Sequence, residues 1–177
     1  IGKFPKNERI LDGLMQLYTS EEGVGDPADL VTLIDSAIAD NPENVDLWFG
    51  RGRIFYALKN YDESIASFKK VVELKPDLFE GNYYLGVFYT IKADEMNKVM
   101  NEKQYSSQTA YDTDLKEVNA VYMDAVPWFE KAYELKKDDV NTLDFLKSIC
   151  FRLRDEEGMM DKYNKYNTLL KEAKGEE

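Results

Sequence analysis

A period of 34 residues runs through this chain and constrains its fold more than any other feature. Pro42 recurs as Pro76, Gly52 as Gly86, Phe55 as Tyr89 and Ile34 as Phe68, each 34 positions on. A fixed period of this size, with aromatic, Gly and Pro landmarks, marks helix pairs stacked into a solenoid. One pair is too small to bury its own apolar face, so it needs neighbours.

The clearest unit spans residues 45–78. Trp48, Gly52 and Phe55 fall at i, i+4 and i+7, on one face of a helix. Gly52 on that face lets a second helix approach closely. After a short turn at Lys59 and Asn60, Tyr61, Ile65, Phe68, Val71, Val72 and Leu74 form the apolar side of a second helix. Pro76 ends it, because the residue before a proline is pushed out of helical geometry. The series Trp48, Arg51, Gly52, Phe55, Ser64, Phe68, Val71, Pro76 resembles the tetratricopeptide repeat. Arg51 stands where that family usually has Leu, and Ser64 and Val71 where it has Ala.

The period then breaks once. Leu85, Gly86 and Tyr89 keep the spacing of 34. Tyr122, Ala125, Phe129, Ala132 and Leu135 follow Tyr61, Ser64, Phe68, Val71 and Leu74 by 61, an excess of 27 residues inside one pair. The spacing of 34 resumes from Ala125 to Met159 and from Phe129 to Tyr163. In this last unit Lys147 replaces the landmark Gly, as suits a terminal repeat that meets water on one face. An N-terminal unit is read from Leu30, Ile34, Ala37 and Pro42, with a first helix over 7–19 and a Gly/Pro loop over 20–27.

The resemblance therefore implies one domain over 1–177: an all-α, right-handed solenoid of about eight antiparallel helices. The expected pairs are 7–41, 45–75, 78–136 with an insertion near 94–120, and 139–173. Residues 90–121 hold no Pro and no Gly, so both helices of the third pair are expected to lengthen, over 78–103 and 113–136, with a polar break near 104–113. At 1.5 Å per residue, ~10 extra residues extend each helix by about 15 Å. Such a hairpin packs on itself, forms a partner or self-association surface through Met96, Val99 and Met100, or contains a disordered loop.

In the tetratricopeptide-repeat family the first helix of each pair lines a concave face that binds peptides or helices. Carried over, that face takes Asp46, Phe49, Arg53 and Tyr56 from the second pair. The third pair contributes Glu80, Tyr83, Val87 and Thr90, and the fourth Asn141, Asp144, Ser148 and Phe151. Aromatics beside charges suit a peptide groove, though the same aromatics can pack against adjacent helices. Chaperone-binding members hold a C-terminal carboxylate with Lys, Asn and Arg. Here the matching positions are Asp46, Phe49, Arg53, Glu80, Tyr83 and Tyr84, so that partner is not expected.

Composition narrows the function further. A net charge of −11 with no basic stripe argues against nucleic acid, whose phosphates it would repel. No apolar run is long enough for membrane insertion. The chain has no His, and its one cysteine, Cys150, lies in an apolar run that suits a buried thiol. The commonest general base and metal ligand is thus missing, and no disulfide can form within the chain. Acidic clusters such as Asp155, Glu156 and Glu157 fall at expected turns, where solvation or capping is ordinary. The expectation is a non-enzyme without cofactor or metal: a protein- or peptide-binding adaptor or scaffold. The alternatives are a structural protein self-assembling as a homo-oligomer through the long hairpin, or a regulatory subunit of an enzyme complex. The long hairpin followed by Met159, Met160, Asp161, Lys162 and Tyr163 is similar to repeat proteins of bacterial envelopes. With Ile1 in place of an initiator Met, this favours a periplasmic or otherwise exported location over the cytoplasm.

Overall fold

Side-chain caps set where the helices begin. A computed structural model of the chain describes residues 26–175. These form seven helices: α1 (Pro27–Asp40), α2 (Val45–Ala57), α3 (Tyr61–Leu74), α4 (Phe79–Glu102), α5 (Gln108–Leu135), α6 (Val140–Arg152) and α7 (Met159–Lys174). Five open on a side chain that accepts a bond from a first-turn N–H: Asp26, Asn44, Asn60, Ser107 and Asp139. Each satisfies a donor that has no partner inside the helix. The expected first helix over 7–19 lies outside the described residues.

Helices α1–α3 form one compact unit and α4–α7 a second. In the first, Leu30, Ile34 and Ile38 of α1 pack with Leu47 and Ile54 of α2. Helix α2 ends through Lys59, whose positive φ of 57° turns the chain so that its N–H bonds the Tyr56 carbonyl and that of Asn60 the Phe55 carbonyl. Helix α3 then folds back. Its Phe68 ring lies against Gly52, so closely that a Cβ there would overlap the ring, while the Ser64 hydroxyl donates to the Gly52 carbonyl at 2.8 Å. The landmark glycine is thus a contact between helices. Gly86 repeats it in the second unit: a Cβ there would stand 2.9 Å from the Phe129 ring.

The second unit contains the elongated hairpin. Its turn occupies residues 103–107 rather than the expected 104–113, and α5 begins five residues earlier than the sequence suggests. Ser107 explains the shift, because its side chain accepts from the Ala110 N–H at 3.2 Å and starts the helix there. The tip is fastened by Asp114, which accepts from Lys103 Nζ at 2.6 Å and from the Tyr105 hydroxyl at 2.7 Å. Along the extension Ala93 and Met100 of α4 share a core with Val118 and Tyr122 of α5. The hairpin therefore packs on itself. Met100 is 3% exposed and belongs to that core, which corrects its expected place on a contact surface. Met96 is half-buried against the same core, and Val99 alone of the three faces solvent, at 54% exposure.

Candidate functional site

Helices α4 and α5 also wall a cavity. With α6 they enclose about 370 Å³, lined by Thr90, Asp94, Tyr122, Asn141, Asp144, Phe145, Ser148, Ile149 and Arg152. Asn141, Asp144, Phe145, Ser148 and Arg152 share a stripe of α6, spaced three or four residues apart so that they face one way. Thr90 and Asp94 continue the same role on α4, and Tyr122 rises from α5 at the back.

The polar groups form a chain. The Tyr122 hydroxyl donates to Asp94 Oδ1. Burial, together with that carboxylate, raises the Tyr122 pKa, so the phenol stays a donor at every physiological pH. The Arg152 guanidinium lies over the Tyr122 ring, 4.5 Å from its centroid, and donates to Asn97 Oδ1 at 2.7 Å. Its Nε is buried without a hydrogen-bond partner. Among the described residues Arg152 has no ion pair with a carboxylate, and Asp144 lies exposed on the cavity wall with no cation beside it. The cavity thus carries two carboxylates, one guanidinium and aromatic walls.

The remaining expected groove residues are divided. Tyr83 stacks on Phe79 at 5.6 Å and meets Phe129 and Phe145 edge-on at 5.9 and 6.0 Å, so much of its surface serves the core. Burial, with Asp139 and Tyr84, raises its pKa. Val87 packs against the same core. Phe49 meets Phe68 edge-on at 4.9 Å. Tyr56 is 42% exposed and tilts against Tyr61. Arg53 is half-buried, and Asp46 and Glu80 are exposed. Of the expected face, the structure gathers Thr90, Asn141, Asp144 and Ser148 around one cavity. Phe151 is 48% exposed and lies beside Tyr163 instead.

Asp94, Tyr122 and Arg152 were not legible as site residues. Asp94 lies in the insertion, where no repeat landmark gives a side chain its direction. Tyr122 reads as the partner of Tyr61, and Arg152 as a helix-end charge. Cys150 is fully buried, and burial pushes its thiol up to about 11, which removes it from nucleophilic chemistry. Among the described residues no group of three His, Cys, Asp or Glu side chains could hold a metal ion. None of the described helices is long and apolar enough to cross a membrane.

Paired helices, glycine-to-phenylalanine contacts and a lined inner face define an all-α helical-repeat protein. The tetratricopeptide-repeat family model matches residues 19–78, and over that stretch the chain is similar to tetratricopeptide-repeat proteins. A solved MamA structure (MamA MSR-1 C2) is similar at a TM-score of 0.53 and 18% identity, over 90% of this chain and 76% of that one. At that identity the likeness is one of fold. A thermophilic tetratricopeptide-repeat protein of Thermus thermophilus gives 0.38 at 15% identity, over 94% and 90%. PilW, a type IV pilus biogenesis factor, gives 0.36 at 16%, over 94% and 77%. No curated protein matches the chain. The fold is generally that of protein-interaction and scaffold modules, which are typically non-catalytic.

Proposed function

We propose that this chain is a non-catalytic binding module that takes a segment of a partner polypeptide on the face shared by α4 and α6. The observation that carries this reading is the cavity of about 370 Å³ beside the elongated hairpin, with Asp94, Arg152 and the exposed Asp144 on its walls. A cleft of this size accepts one or two side chains, with polar groups on its walls to fix their orientation. The long hairpin supplies one wall of the site, through Asp94 and Tyr122, and its own core keeps that wall rigid.

The test is selection of random peptides displayed on phage against the immobilised full chain, followed by binding to Ser148→Trp. Ser148 is exposed on the cavity wall, so an indole there fills the space without entering the core. Selected peptides are expected to lose at least about tenfold in affinity for the variant. Peptides that bind the variant as tightly as the wild type contradict the cavity as the site.

A further inference from the structure

Charge balance in the cavity narrows the ligand. Its lining carries Asp94 and Asp144 against Arg152, one negative charge in excess. Arg152 is already held by the Tyr122 face and by Asn97. A carboxylate ligand would raise the local excess to two negative charges in a protein of net charge −11. A cation between Asp94 and Asp144 brings the lining to neutrality. Phe145, Ile149 and the Tyr122 ring offer apolar surface for a methylene stem below it.

Resting on the binding reading above, we propose that the cavity receives a lysine or arginine side chain of the partner polypeptide. The cation pairs with Asp94 and Asp144. Asp94 keeps its bond from Tyr122 through one oxygen and presents the other to the ligand. The long hairpin thereby sets specificity, since Asp94 and Tyr122 both belong to its lengthened helices.

The experiment uses the peptides selected on the full chain and measures their affinity by fluorescence anisotropy for the wild type, for Asp94→Asn with Asp144→Asn, and for Asp155→Asn with Glu157→Gln. Asparagine at 94 can still accept from Tyr122, and all four positions are exposed, so folding is preserved. The last variant makes the same change in net charge in the turn before α7. The expected result is a shared Lys or Arg in the selected peptides and a loss of about tenfold with the Asp94/Asp144 variant only. Selected peptides without a basic residue, or ones indifferent to Asp94 and Asp144, overturn the inference and leave the binding function standing. An equal loss with both variants overturns it as well, because the attraction is then to net charge alone. If no peptide is selected, both readings fall together.

Discussion

Single residues hold the helix pairs together through close approach. Gly52 and Gly86 lie under Phe68 and Phe129, each 0% exposed, so neither ring can move aside. Alanine would gain up to about 1 kcal/mol in helix propensity, but its methyl group meets a fixed ring, and overpacking costs about 1–3 kcal/mol. Gly52→Ala and Gly86→Ala are therefore expected to lower the urea midpoint, and a rise would contradict the contact as described. Lys59 has the opposite balance. Its φ of 57° strains an L-residue, and glycine relieves that strain. Lys59→Gly is expected to raise stability by about 0.5 kcal/mol, measured as an upward shift in Tm. Arg51 shows what a family landmark conceals. Where Leu is usual, Arg51 bonds Asp35 at 2.8 Å and Ser67 at 2.8 Å and pairs with Glu63 at 3.0 Å, joining α1, α2 and α3. Its ring contacts with Phe55 and Trp48 keep the stem on the apolar face the leucine would have covered.

Whole elements were legible in the sequence wherever the 34-residue period held. Repeating Gly, aromatic and Pro landmarks fix which face of a helix is buried, so the expected pairing of α2 with α3 and the cores around Phe68 and Phe129 follow from spacing alone. The period carries no information inside the insertion. There Met96, Val99 and Met100 read as one stripe, but the crossing of α4 with α5 buries Met100, half-buries Met96 and exposes Val99. The cavity was half legible for the same reason. Asn141, Asp144 and Ser148 follow the family register, whereas Asp94 lies in the insertion and no landmark marks Tyr122 or Arg152 as a site residue.

Helix α6 also carries a pH dependence at its start. Burial raises the Asp139 carboxyl, but the Thr142 N–H and hydroxyl, with Lys136, more than offset this and hold it below the usual range. Glu130 is raised by burial and lowered further by Tyr166 and Lys162, with a net shift downward. Carboxyls depressed in the folded state add stability above their ordinary pKa of about 4 and lose it as the pH falls through their lowered values. Asp139→Ala is expected to cost about 1 kcal/mol near neutrality. Its deficit against the wild type should shrink below about pH 4 in acid titrations followed by circular dichroism. A deficit that does not change with pH would contradict the cap.

At the scale of the whole molecule, charge and architecture point the same way. A chain with 34 acidic against 23 basic residues and no histidine presents an acidic surface on a helical-repeat scaffold. Such a surface steers basic partners and repels nucleic acid. In our reading the cavity is the binding site: α4 and α5 build one wall, to which the insertion contributes Asp94, and α6 builds the other. The most direct test of that claim is to titrate a phage-selected peptide into the isotope-labelled chain and map the backbone amide shifts. The shifts are expected to concentrate on α4 around Thr90 and Asp94 and on α6 from Asn141 to Arg152, and to be absent in Ser148→Trp. Shifts confined to α1–α3, or to the outer side of α7, would contradict the cavity as the binding site.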